Sequence, residues 1–450
     1  MLVGPILPRL MRLAAPNLLA MLAAALAAVA ETAYVGKLGV SALAGMALVF
    51  PLVMLQMMLS AGAMGTGVSS AISRALGAGD AARANSLAVH ALWIAGVAGL
   101  LYMGLMLGLG REMLGALGGR NEVLAQALAY AEVAFLGSVS IWVFNTLASV
   151  ARGAGEMNVP STALLAVALL QVLAGGAIGL GWGPLPAWGM RGVASGQLLA
   201  YTAGALFLLL HLRSGRSRIR LQLRGTPLQA RLWQEILRVG APACISPLQT
   251  VATILILTWL VARFGSVALA GYGIGARLEF LLVPIAFAVG VASLPMVGMA
   301  IGAGRIARAR QVAWTAAAVA ALLLGSLGLL VAVLPQAWTG LFTSDAAVQA
   351  AAALYFLWAG PCYGLFGLGL CLYFSSVGAG RVAGPVLAGS LRLLLVALGG
   401  LLLVRSEAPP WALFALIALA MAAYGLATAL FVRVTAWGVE REPSLPSQRA

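Results

Sequence analysis

Apolar runs of about twenty residues or more recur along almost the whole chain, interrupted by short stretches rich in Arg, Gly or Pro. Each run can cross a ~30 Å hydrocarbon layer as an α-helix. Backbone facing lipid must satisfy its own hydrogen bonds, so helix is the expected spanning element. The pattern predicts twelve spans, near residues 13–36, 43–72, 86–110, 124–151, 161–183, 190–212, 239–262, 269–301, 312–335, 347–377, 384–404 and 411–434. Runs two and eight are long for a straight crossing, which implies tilt or extension beyond the bilayer. The predicted fold class is an all-α integral membrane protein.

The spans divide into two sets of six. The long polar interruption from Arg213 to Arg238 falls at mid-chain and reads as a basic linker. Residues 1–212 are then an N-terminal six-helix lobe, 213–238 the cytoplasmic linker, 239–434 a C-terminal six-helix lobe and 435–450 a tail. The halves also resemble each other in sequence. Arg12-Leu-Ala-Ala-Pro16 lies over Arg238-Val-Gly-Ala-Pro242, and Gly39-Val-Ser-Ala-Leu-Ala-Gly45 over Gly265-Ser-Val-Ala-Leu-Ala-Gly271, both at a shift of 226. After a one-residue slip, a shift of 225 carries Leu76-Gly-Ala-Gly79 onto Ile301-Gly-Ala-Gly304, and Gly153-Ala-Gly155 with Pro160 onto Gly378-Ala-Gly380 with Pro385. An even number of spans per half makes the repeat parallel, with a pseudo-two-fold axis along the membrane normal and a cleft between the lobes as the natural substrate path.

Composition agrees with this class. The chain is 62% hydrophobic and 9% charged, with a mean hydropathy of +1.02, whereas soluble domains are about 25% charged. The 27 basic residues against 12 acidic ones would suggest nucleic acid in a soluble protein. Here they fall in short loops and point to topology and membrane lipids. With the N-terminus inside, 19 basic residues collect on one side, against Lys37, Arg111, Arg120, Arg191, Arg263 and Arg405 on the other. Both termini are therefore expected on the cytoplasmic side of the plasma (inner) membrane. Cys244, Cys362 and Cys371 lie in apolar runs without metal-ligand spacing and read as packing residues. The start of the chain resembles a signal peptide ending at Ala28-Val29-Ala30, but the run is longer than a usual signal core, so it is read as a retained span.

Charges inside spans are few, and each is a functional candidate because an ionised group at mid-membrane costs at least ~2.5–3.5 kcal/mol. Glu31 stands 15 residues after Pro16, roughly 22 Å along a helix. A carboxyl held there out of water is suited to carrying a proton; an interfacial acid facing water is the plainer alternative. Pro16 either hinges the first span or marks its start. Gln171 is either an uncharged partner for Glu31 or a packed interhelical amide. Glu279 could bind a cationic substrate, bind a second proton, or form an ion pair, with Arg392 a possible partner. Arg277, two residues away, points to another helix face. Met54, Gln56, Met57, Met58 and Met64 give the second span either an adaptable cavity wall or a packing stripe. Gly104/Gly108, Gly175/Gly179 and Gly360/Gly364 have the spacing of close helix contacts.

Several of these residues together resemble the multidrug and toxic compound extrusion family. Pro16, Glu31-Thr-Ala-Tyr-Val-Gly-Lys-Leu-Gly39 and Ala42-Leu-Ala44 are similar to its first-span signature. Ile72-Ser-Arg-Ala-Leu-Gly-Ala-Gly-Asp80, Arg152-Gly-Ala-Gly-Glu156 with Pro160, Gly273-Ile-Gly-Ala-Arg-Leu-Glu279 with Pro284, and Pro295-Met-Val-Gly298 resemble its later motifs. The resemblance implies export of small organic, often cationic compounds by alternating access of two lobes, coupled to protons or sodium, in a chain working as a monomer without a cofactor or resident metal. It also implies a substrate path past Met54, Gln56 and Met57 in one lobe and Tyr272, Glu279 and Phe280 in the other. The chain departs from the family at the fifth span, where Leu169-Leu-Gln171-Val-Leu173 carries no acid. The second-lobe cation positions also lack acids, with Thr250 near the first and none from Tyr355 to Val377. Proton coupling is favoured, because a lone carboxylate can take a proton while a sodium site wants several oxygen ligands.

Other functions fit the sequence less well, and a purely structural membrane protein would not need paired lobes with buried acids at all. An enzyme is disfavoured, since no His-Glu-x-x-His, Gly-x-Ser-x-Gly or Walker phosphate loop is present, and His90 and His211 are far apart in sequence. A lipid-linked-precursor flippase of the same superfamily remains the alternative. It would be expected to carry a strongly cationic central cavity, whereas only Arg277 and Arg392 lie within spans.

Overall fold

The computed structural model describes residues 2–184, 186–222, 227–406 and 408–440, and these residues are helical with no strand. Eleven helices are long and apolar enough to cross a membrane: Ile6–Lys37, Val40–Gly77, Ala81–Ala116, Asn158–Leu180, Gly189–Arg213, Ala230–Arg263, Ser266–Gly302, Ile306–Val333, Ala346–Gly378, Ala383–Arg405 and Pro410–Val434. The remaining crossing, fourth in chain order, is the pair Asn121–Leu136 and Ser138–Gly153, bent by 48° about Gly137. The protein is thus a multi-pass membrane protein of twelve spans. Leu26, Leu101, Leu322 and Leu402 are each about two-thirds exposed on its flanks, an arrangement that lipid accommodates and water does not.

Helix pairings show the two lobes. In the first lobe the second span packs on the fourth, the third on the fourth, the first on the fifth, the fifth on the sixth and the fourth on the sixth; the same pairings recur six spans later. Irregularities recur too. The bend at Gly137 lies 225 residues before Cys362, the end of the 3₁₀ turn Gly360–Cys362 that interrupts the tenth span.

Where the lobes meet, small residues let backbones approach. A Cβ on Gly77 would strike the carbonyl of Met299, and one on Gly302 would strike the carbonyl of Arg74. Residues 77 and 302 are repeat mates, as are 74 and 299, so one contact is the other with the lobes exchanged. That exchange is what a pseudo-two-fold axis through the seam produces. The Ser70 hydroxyl crosses the seam to the carbonyl of Val377, and the Arg74 guanidinium caps Ser70 beside Gly380. Arg305 and Arg308 donate to the carbonyls of Leu2 and Gly4, 2.9 Å away in each case. These contacts lie at the arginine-rich end of the molecule, which closes the lobes against each other there.

Three expectations change. The first span starts at Ile6, not near residue 13, so Pro16 lies inside the helix and does not mark its start. The seventh begins at Ala230, inside the stretch expected as linker. Its leading helix, Ala230–Ala243, buries Leu232, Ile236, Val239 and Gly240 along one stripe, and the first two join the core of the N-terminal lobe. Glu235 on this helix pairs with Arg83 at 2.5 Å. The helix breaks at Cys244 just after Pro242, the repeat mate of Pro16. Gly104 and Gly108 face open space and make no close helix contact, whereas Gly175 and Gly179 meet Tyr34 and Val193, and Gly360 and Gly364 meet Gly328 and Gly325. The linker residues 223–226 and the tail residues 441–450 lie outside the described residues.

Candidate functional site

A cavity of about 210 Å³ opens within the N-terminal lobe between the first, second, fourth, fifth and sixth spans. Its wall is largely apolar, with Ala27, Phe50, Met57 and Val167 among the lining residues, and its polar groups converge on Glu31. Glu31 is 3% exposed. The Gln171 amide donates to its Oε2 at 2.7 Å and the Tyr130 hydroxyl to its Oε1 at 3.0 Å. Fixed backbones bring these groups together. Glu31 sits near the end of the first span, which packs on the fifth, so the side chain meets Gln171 across that contact. Tyr130 comes from the half of the fourth span before its bend.

The Tyr130 hydroxyl lies 3.0 Å from a second acceptor, Gln197 Oε1. A phenol has one proton and can serve one acceptor at a time. With Glu31 ionised, Tyr130 donates to it. With Glu31 neutral, the acid can donate to Tyr130 and Tyr130 to Gln197. The same four side chains therefore satisfy both protonation states without a rearrangement of helices. Close by, the Tyr34 hydroxyl is buried without a partner, and Tyr201 closes the cavity wall with its hydroxyl 3.7 Å from the Met57 sulfur.

Glu31, Gln171 and Met57 thus share one site. Met54 is half-buried and does not line the cavity. Gln56 is buried beside the fourth span, its amide 3.5 Å from the Ser138 carbonyl and its Oε1 unpaired. Pro16 lies about four turns before Glu31, next to the buried Asn17. The second-lobe candidates form a separate cluster. Glu279 accepts from Tyr355 and, at 3.5 Å, from Tyr363, while the Tyr272 ring packs edge-on against Tyr355. Phe280 points outward and is 58% exposed. Arg277 lies over the Phe342 ring and Arg392 over Phe366; neither forms a salt bridge with Glu279. Sequence reasoning missed Tyr130 and Gln197. Both are uncharged and sit in apolar runs, and the one available signal was that Tyr130 has a repeat mate, Tyr355, at the shift of 225.

A two-lobed bundle with a polar site buried in one lobe defines the class as a membrane transporter. The MatE family profile matches residues 16–175 and again 242–401, one match per lobe. The chain belongs to the MatE family. It is 24% identical over 320 residues to the FAD transporter of Shewanella oneidensis, covering 69% of each chain. It is 26% identical over 214 residues to the multidrug export protein MepA of Staphylococcus aureus, spanning 47% of that protein's length and 48% of its own. Among solved structures, a MOP superfamily transporter from Pyrococcus furiosus superposes with a TM-score of 0.88 at 22% identity, over 96% of both chains.

Proposed function

We propose that this chain is a proton-coupled antiporter that exports small organic, often cationic compounds across the plasma (inner) membrane, with Glu31 as its coupling carboxyl. The observation that carries the reading is the buried Glu31 in the cavity wall, held by Gln171 and by a Tyr130 hydroxyl that can also serve Gln197. Proton coupling is favoured over sodium because the groups facing the carboxylate are an amide N–H and a phenol O–H, donors that suit a carboxylate. A sodium ion would want oxygens turned inward. Export fits a mostly apolar cavity with one acid, in which an organic cation and a proton can compete for the same carboxylate. The arginine-rich end, by the excess of basic residues there, faces the cytoplasm, so the lobes are closed on the inside and the site is disposed toward the outside. A lipid-pyrophosphate flippase is less well supported, since no Arg or Lys lines the cavity.

The test is reconstitution in liposomes with a lipophilic cation such as ethidium. A pH gradient alone should drive its movement and a sodium gradient alone should not. Movement under sodium alone would overturn the proton assignment.

A further inference from the structure

Two buried tyrosines, one per lobe, occupy the same place in the repeat. Tyr130 in the fourth span and Tyr355 in the tenth differ by 225 residues, the shift that superposes the halves. Each lies in the segment before its span's break, and each is less than 5% exposed. Each donates a hydrogen bond to a carboxyl of its own lobe, Tyr130 to Glu31 and Tyr355 to Glu279. The carboxyls themselves are not repeat mates. Glu31 is on the first span, whereas Glu279 is on the eighth, at the position that Val53 holds in the first lobe, where the shift is still 226. A common donor has therefore met an acid brought from a different helix in each lobe.

We infer that Glu279 with Tyr355 and Tyr363 is a second proton-binding site, so that each lobe carries one proton-binding carboxyl held by a buried tyrosine. The inference rests on the reading of Glu31 as the first. The groups facing Glu279 can be named from every side. Tyr272 is on its own span, Tyr355 and Tyr363 are on the tenth, and Arg392 on the eleventh acts on it through charge. Arg277 is turned away over Phe342. Tyr424 on the twelfth faces Arg392 and Phe366. Arg392 is the one cation of the set, and a structural ion pair with it would hold Glu279 permanently charged. Its guanidinium lies instead over the Phe366 ring, 5.1 Å from the centroid, and makes no salt bridge with the carboxyl, on which it acts only through longer-range charge. Glu279 is half-buried, so its carboxyl is not sealed inside the lobe. The carboxylate takes H⁺ from water to become the acid, and returns it to water when the tyrosines again donate to the ionised form.

The test is infrared difference spectroscopy of the full-length protein in lipid, comparing low and high pH in the carbonyl-stretch band of protonated carboxyls. Wild type should show, among the bands of its carboxyls, one from each of the two tyrosine-held acids. Glu31→Gln should remove one and Glu279→Gln the other, while Tyr355→Phe, which keeps the acid and the ring, should shift only the band that Glu279→Gln removes. A spectrum unchanged by both Glu279→Gln and Tyr355→Phe would overturn the second site. Should Glu279→Gln fail to fold, the Tyr355→Phe shift decides alone, and its absence counts against the proposal. Failure of the first-lobe reading would show separately, as Glu31→Gln leaving every band in place.

Discussion

At the scale of the residue, the question is what retains a carboxyl in a helix rich in Ala and Leu. Insertion of such a group costs at least ~2.5–3.5 kcal/mol, and any apolar residue would avoid that cost. Two charge-assisted hydrogen bonds, at about 1.5–3 kcal/mol each, are of the size needed to offset that minimum. The Gln171 contact is the better test of the pair, because its amide reaches Glu31 Oε2 at 2.7 Å while its backbone belongs to a separate span. Gln171→Leu should keep the fold, leave Oε2 without a donor, and slow pH-driven transport about tenfold, equivalent to ~1.4 kcal/mol on the barrier. Initial rates in liposomes, set beside melting temperature in detergent, check this. Unchanged rates would make Gln171 a packing residue. Glu31 and Gln171 were legible in the sequence because a lone acid in an apolar run is conspicuous. Tyr130 and Gln197 were not, since an uncharged polar side chain in an apolar run carries no mark of whether it faces a neighbour, a cavity or lipid.

Elements were legible to the extent that hydrophobicity alone determines them. Twelve runs became twelve spans, but the ends moved where amphipathic helix continues an apolar one. The leading helix of the seventh span carries Arg231, Gln234 and Arg238 on its exposed side, so its charge read as linker while its buried stripe read as nothing. Glycine spacing also misled at one place, because spacing gives the face of a helix and not what lies opposite it. Gly104 and Gly108 look onto open space, and Gly328 meets the carbonyl of Gly360. Gly104→Ala should therefore be neutral or stabilise by up to about 1 kcal/mol. Gly328→Ala should cost about 1–3 kcal/mol by overpacking. Thermal unfolding of the two variants in one detergent measures the difference, and equal melting temperatures would contradict the packing described.

For the whole molecule, the repeat was readable from four short matches, and it fixed both the two lobes and the parallel sense of their relation. What the sequence could not show is which end of the seam is closed, because that depends on contacts between residues more than two hundred positions apart. The seam at the arginine-rich end has backbone against backbone at Gly77 and Gly302, and a Cβ on Gly298 would come within 2.9 Å of that of Ser73. If the lobes must part there in each cycle, a disulfide in the double variant Ser73→Cys with Gly298→Cys should stop transport under oxidation and release it on reduction. Transport that persists with the bond formed would show that this seam does not open.

The central claim, that Glu31 carries the coupling proton, is tested most directly by measuring proton and substrate movement together in liposomes holding wild type or Glu31→Gln under the same imposed pH gradient. The amide keeps the size of the side chain and its hydrogen-bonding capacity but cannot titrate. The account predicts that wild type moves protons against ethidium, and that Glu31→Gln, though folded and inserted, loses gradient-driven ethidium movement and the proton flux linked to it. Equal coupled fluxes in the two proteins would contradict it.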